Sequence, residues 1–128
     1  MKEEFIYKDL TYQIRKAIFT VYNELGFGHK EQVYQKALSS EFSLLRIPFL
    51  REKSVNVYYK DQIVGTYRPD FIVDNKVIIE LKAVEFMPLS YERQLLHYLK
   101  STKYKLGFLV NFGCPKVYIK RLIWSSSA

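Results

Sequence analysis

Pro69-Asp70-Phe71-Ile72-Val73-Asp74-Asn75-Lys76-Val77-Ile78-Ile79-Glu80-Leu81-Lys82 reads as two buried strands joined by a tight polar turn. Asp70, Glu80 and Lys82 stand there among apolar neighbours, and ionisable groups are rarely buried unless paired with each other or with a metal. Side chains alternate along a strand, so Glu80 and Lys82 share a face. A three-residue loop Asp74-Asn75-Lys76 pairs Val73 with Val77 and sets Asp70 opposite Glu80. Such loops are common, although two-residue loops are commoner. Like charges directly opposite destabilise a sheet. The pair therefore calls for a raised pKa, a neutralising Lys or Arg, or a divalent cation. Arg68 and Lys82 lie on the same face if the alternation holds. Two readings stay open at this point. One is a structural ion-pair cluster of Asp70, Glu80, Arg68 and Lys82. The other is a magnesium site, since two carboxylates with waters and a substrate phosphate are how Mg²⁺ is usually held. In that reading a bound water is acidified, and Lys82 orients it or stabilises the transition state.

Upstream, Leu10, Ile14, Ala17, Ile18, Val21, Tyr22 and Leu25 recur at helical spacing, and Gly26 and Gly28 stop the helix. A second helix starts near Lys30 or Glu31, with Val33, Tyr34, Ala37, Leu38, Phe42 and Leu45 as its apolar face. Glu31 in its first turn fits the helix dipole. Ile47-Pro48-Phe49 breaks the helical pattern. Val55, Val57 and Tyr59 alternate with polar positions as a first strand, and Lys60-Asp61-Gln62 is a turn. A second strand runs from Ile63 to Asp74, bent near Gly65 or Pro69. The third, Val77 to Ala83, is nearly continuous in apolar character, as a central strand covered on both faces would be. A third helix opens at Met87-Pro88-Leu89-Ser90, with Tyr91, Leu95, Tyr98 and Leu99 as its core stripe. Gln94 and Tyr98 are four apart and adjacent on one side, whereas His97 is expected near the opposite side, toward solvent. Strands Tyr104–Asn111 and Val117–Ile123 follow, around a Gly113-Cys114-Pro115 turn. The order ααβββαββ predicts one α/β domain with a mixed sheet over residues 1–124 and a frayed tail over 125–128. The link from the third strand through the third helix fits a crossover to a parallel strand.

The chain has 128 residues, 48% of them hydrophobic, which is enough for a core and argues against disorder. Its 20 Lys and Arg against 13 Asp and Glu leave a net charge of +7, which favours an anionic partner, most simply nucleic acid. One cysteine, Cys114, excludes a disulfide framework, and with His29 and His97 alone a zinc centre is improbable. Met1-Lys2-Glu3-Glu4 lacks a signal-peptide layout, and no apolar run reaches membrane-spanning length. The expectation is a soluble cytoplasmic protein.

Pro69-Asp70 followed by Glu80-Leu81-Lys82 resembles the signature of the PD-(D/E)XK nuclease superfamily. Glu31, on an upstream helix, matches the position of that superfamily's extra acidic residue. Gln94-Leu95-Leu96-His97-Tyr98 looks like the QxxxY motif of its RecB-like branch. Gly28-His29-Lys30-Glu31-Gln32-Val33-Tyr34 carries the GxxExxY pattern intact. Tyr67-Arg68-Pro69-Asp70-Phe71, Ile79-Glu80-Leu81-Lys82-Ala83 and Leu109-Val110-Asn111-Phe112-Gly113 look like the other blocks of the GxxExxY family. Nearly the whole chain is covered. The resemblance implies a restriction-endonuclease-like αβββαβ core, with an extra N-terminal helix and an extra C-terminal strand. It also implies metal-dependent phosphodiester hydrolysis. Asp70 and Glu80 would ligate Mg²⁺ or Mn²⁺, with Glu31 bound directly or through water. Lys82 would serve the nucleophile. Gln94 would orient Lys82, a metal water or the substrate, and Tyr98 would support Gln94. Arg68 would contact phosphate or pair with the carboxylates. The implied substrate is nucleic acid, DNA before RNA, and a homodimer is one way for so small a domain to embrace a duplex. The competing readings are a non-catalytic nucleic-acid-binding module and a structural or protein-interaction domain.

Overall fold

The computed structural model describes residues 7–125. The expectations for Met1–Glu4 and for the tail beyond Ser125 concern residues outside that span. Helix α1 (Lys8–Leu25) buries Ile14, Ala17, Ile18 and Val21, and α2 (Glu31–Leu44) buries Tyr34, Leu38 and Phe42. These are positions three and four apart, as a helix with one apolar stripe requires. At roughly 1.5–3 kcal/mol for each large side chain fully removed from water, that stripe fixes which way each helix faces. α1 stops at Gly26, whose φ of 70° lies in the left-handed region that glycine enters without a Cβ clash.

Strands follow as β1 (Phe49–Arg51), β2 (Val55–Tyr59), β3 (Gln62–Tyr67), β4 (Phe71–Val73) and β5 (Val77–Lys82). Then come α3 (Leu89–Ser101), β6 (Leu106–Asn111) and β7 (Tyr118–Ile123). Five strands make one sheet in the order β1-β4-β5-β6-β7, and β2 with β3 forms a separate hairpin. β5 and β6 run parallel across α3, and the other ladders are antiparallel. The sheet is mixed and β5 lies at its centre, consistent with a restriction-endonuclease-like fold.

Along β5 the two faces separate by parity. Val77, Ile79 and Leu81 join the core under α1 and α2, while Ile78 joins Tyr67, Ile72, Leu95 and Leu99 under α3 and the hairpin. Glu80 and Lys82 have the parity of Ile78 and emerge where that second core ends.

Two strand expectations need correction. The strand expected from Ile63 to Asp74 is two strands in different sheets, β3 and β4, parted at Arg68-Pro69-Asp70. Pro69 has no N–H to give a ladder, so the chain leaves the hairpin there and enters the main sheet. β1 was not foreseen. It is a three-residue edge strand just after Pro48, too short to show alternation, and it pairs with β4. The order is therefore ααβββββαββ. The turn expected at Lys60-Asp61-Gln62 is tighter than that. Tyr59 pairs with Gln62, and Lys60 and Asp61 take φ of 48° and 71°, as a primed hairpin turn demands.

Candidate active site

The β4–β5 turn sets the site. Asp74 and Asn75 take φ of 50° and 52°, a conformation that short Asx side chains tolerate. Val73 pairs with Val77 and Phe71 with Ile79. The three-residue connection is therefore the one formed, and Asp70 falls one step beyond the ladder, facing Glu80. The Asp70 backbone N–H donates to Glu80 Oε1 at 3.3 Å. Asp70 Oδ2 accepts from the Leu81 N–H at 2.7 Å, and Oδ1 accepts from Gln35 Nε2 at 3.2 Å. Arg51 donates in turn to Gln35 Oε1 at 3.4 Å. The second oxygen of Glu80 accepts from the Tyr67 hydroxyl. Tyr67 stacks flat on Tyr98, with ring centroids 3.7 Å apart and planes at 6°. Donors from α2, β3 and β5 thus hold both carboxylates in place.

Among the described residues no cation stands at ion-pairing distance from them. Among the described residues neither Arg68 nor Lys82 lies within ion-pairing distance of either carboxylate, so the four-residue ion-pair cluster does not form. Arg68 is exposed. Lys82 is half-buried, with Nζ 4.4 Å from the centre of the Tyr91 ring, a cation–π arrangement. Burial, reinforced by the Asp70 charge, pushes Glu80 up to about 7, and the Tyr67 hydroxyl opposes this only in part. Burial raises Asp70 as well, against the pull of the Leu81 N–H and of Lys82. Burial raises Glu31, the Asp70 charge adds to it, and Lys82 acts the other way. Glu31 of α2, Lys82 of β5 and Asp70 of the β3–β4 connection therefore share one electrostatic neighbourhood.

Glu31 owes its place to Tyr34, one turn further along α2. That ring is buried and stacks on Phe112 at 4.5 Å with planes at 5°. Its hydroxyl donates to the Gly26 carbonyl at 2.6 Å and accepts from the His29 N–H at 3.2 Å. The α1–α2 loop is thereby stitched to the first turn of α2. Gly28 in that loop has φ of 107°, which L side chains avoid. On the other side, buried Asn111 fastens the chain leaving Lys82. Asn111 Oδ1 accepts from the Val84 N–H at 3.0 Å and the Gly113 N–H at 2.9 Å, and Nδ2 donates to the Val84 carbonyl at 2.9 Å. A Cβ at Gly113 would lie 2.4 Å from the Val84 backbone nitrogen and oxygen.

Among the described residues no three of His, Cys, Asp and Glu gather into a ready-made metal cage. The donor chemistry of the pair still fits a hard divalent cation. It offers two partly buried carboxylates, each oxygen with a lone pair beyond the hydrogen bond it accepts, and among the described residues no competing cation at ion-pairing distance.

Gln94 is exposed on α3 and makes no hydrogen bond to Lys82 or Tyr98 among the described residues. Tyr98 braces Tyr67 instead. His97 corrects an expectation, because it lines the same groove as Gln94 and Tyr98. Three residues along a helix is only about 60° around its axis. His29 is a loop residue, with Nε2 3.2 Å from the Leu25 carbonyl oxygen. Gln35, Arg51, Tyr67 and Tyr91 were not foreseen as parts of the site. Tyr67 stands in the block that ends at Phe71 and Tyr91 in the stripe of the third helix, and Gln35 is a polar residue one turn beyond Glu31 and beside the buried Tyr34.

Among the described residues no helix is long and apolar enough to cross a membrane. No curated protein and no solved structure matches the chain significantly. The PD-(D/E)XK nuclease superfamily matches it over residues 8–122. That span opens at the first residue of α1 and closes inside β7, so it takes in both helices that flank the carboxylate pair and every strand that carries it, and the chain belongs to the PD-(D/E)XK nuclease superfamily.

Proposed function

We propose that this protein is a metal-dependent nuclease that hydrolyses phosphodiester bonds of DNA, and that it lies in the GxxExxY branch of its superfamily. The Asp70–Glu80 pair carries the reading. Two partly buried carboxylates are pinned face to face by Leu81, Gln35 and Tyr67, with no Lys or Arg at ion-pairing distance among the described residues. Like charges set opposite each other destabilise a sheet, a cost that a divalent cation between them would remove. Asp70 and Glu80 would hold Mg²⁺ or Mn²⁺, with Glu31 joining directly or through water. A divalent ion there supplies Lewis-acid activation of water and compensates charge on the phosphate. Lys82, held over Tyr91 and away from the carboxylates, keeps its ammonium for the attacking water or the phosphate oxygens. Arg68, exposed two residues before Asp70, contacts a phosphate. Gln94, exposed on α3, orients the substrate, and Tyr98 steadies Glu80 through Tyr67. Gly28, Glu31 and Tyr34 divide the work of their motif: a glycine-only turn, a third carboxylate, and the brace that positions it.

Labelled duplex, single-stranded and branched DNA and RNA, incubated with Mg²⁺ or Mn²⁺, test this. Cleavage of DNA is expected, abolished by chelator and reduced at least about 10²-fold in Lys82→Ala and Asp70→Asn, both folded by circular dichroism. Cleavage that survives those substitutions, or no cleavage of any substrate, overturns the reading.

A further inference from the structure

We infer that the open groove along α3 is a track for an unpaired nucleic-acid strand leading into the carboxylate site, an inference that rests on the nuclease function proposed above. The groove encloses about 630 Å³ and is lined by Tyr91, Arg93, Gln94, His97 and Tyr98, with a serine at either end. None of the described residues that line it carries a carboxylate. From Ser90 to Ser101 the helix advances about 16 Å, close to five steps of a nucleic-acid strand at about 3.4 Å each.

Both tyrosines connect the groove to the site. Tyr91 lies beneath the Lys82 ammonium at 4.4 Å. Tyr98 stacks on Tyr67, whose hydroxyl holds Glu80. A strand lying in the groove would therefore arrive at the residues that do the chemistry.

The lining also says what kind of strand it takes. A duplex groove-binder needs a dense array of cations to match two phosphate backbones. Among the described residues that line the groove Arg93 is the one permanent cation, set among aromatic, amide and hydroxyl groups suited to stacking and hydrogen bonding. Beyond the N-terminal end of the groove, Phe86 is 83% exposed and Leu89 65% exposed. Phe86 stands four residues past Lys82, on a loop whose root Asn111 clamps at Val84. An apolar ring presented on a fastened loop beside a polyanion site finds its partner in a base face. Paired bases keep their faces stacked on one another, whereas an unpaired strand offers them.

Fluorescence anisotropy with a labelled 20-nucleotide single strand and a blunt duplex of equal length, in chelator so that nothing turns over, decides the matter. The single strand is expected to bind at least about tenfold more tightly than the duplex, a difference of the size that one stacked base provides. Arg93→Ala and Phe86→Ser should each weaken it about five- to tenfold, and Arg93→Ala should also flatten the salt dependence by about 0.7 in log–log slope. Lys100→Ala, which removes a charge from the same helix but from a side chain 5.3 Å over Trp124, should change neither. Equal affinity for duplex, unchanged binding in both variants, or no binding of single strand by the wild type overturns the track. Cleavage by the wild type would in each of those cases leave the nuclease reading standing. Binding as expected with no cleavage would leave the track and remove the nuclease.

Discussion

Taking the metal-free protein from about pH 5 to about pH 8 ionises Glu80 inside its partly buried site. Burial and the Asp70 charge hold the Glu80 proton to about pH 7 in the folded chain, against an ordinary value of 4.5. The folded value is the higher one, so the folded state binds the proton more tightly than the unfolded chain does. The stabilisation is complete below 4.5, is lost as the pH climbs to about 7, and is constant beyond. At about 1.4 kcal/mol per pH unit the whole step is roughly 3.5 kcal/mol, with roughly 2.5 kcal/mol of it between pH 5 and pH 8. Asp70, also raised, shifts stability in the same direction. Urea denaturation across this range, in chelator, should show the wild-type midpoint falling. Glu80→Gln has no proton to lose there and should show a profile flatter by about that amount. Added Mg²⁺ or Mn²⁺ should raise the wild-type midpoint above pH 7, where the carboxylates are free of protons, and raise the variant's less, because a ligand of the native state stabilises by the logarithm of its concentration over its Kd. Parallel profiles for the two proteins, or a wild type that gains stability from pH 5 to pH 8, would refute the reasoning.

Tyr67→Phe keeps the stack on Tyr98 but removes the hydroxyl that Glu80 accepts. It should destabilise by about 1.5–3 kcal/mol at pH 8, where the acceptor is charged, and by less at pH 5, as read from urea midpoints. Tyr34→Phe keeps the Phe112 stack but loses the bonds to Gly26 and His29. A loss of about 1–2 kcal/mol is expected by thermal denaturation, with a fall in cleavage as Glu31 loses its fixed helix start. Gly113→Ala forces a Cβ to 2.4 Å from the Val84 backbone, and should cost about 1–3 kcal/mol in the same measurement as the β5–α3 loop shifts.

The parts legible in the sequence are those in which neighbours decide. The helical stripes of α1 and α2 repeat every three or four residues. The parity of β5 put Glu80 and Lys82 on one face, and the Asx-rich turn offered the Val73–Val77 register as one of two; the structure adopts it, and it brings Asp70 across from Glu80. The parts that escaped are those in which distant segments meet. Pro69 was visible as a bend, but that the chain changes sheets there depends on which edge each strand finds. β1 carries three residues and no usable pattern, and its place follows from the free side of β4.

By itself the sequence determined the three helices, the long central strand and the shared face of Glu80 and Lys82, because strand and helix periodicities act over a few residues. Only the tertiary structure decided how the carboxylate pair is held. Gln35 reaches Asp70 across 35 positions, Tyr67 reaches Glu80 from the separate hairpin, and Lys82 turns to Tyr91 rather than to the acids. A buried carboxylate accepts whichever donors the packed layers bring to it, and the packing of layers is a property of the whole chain.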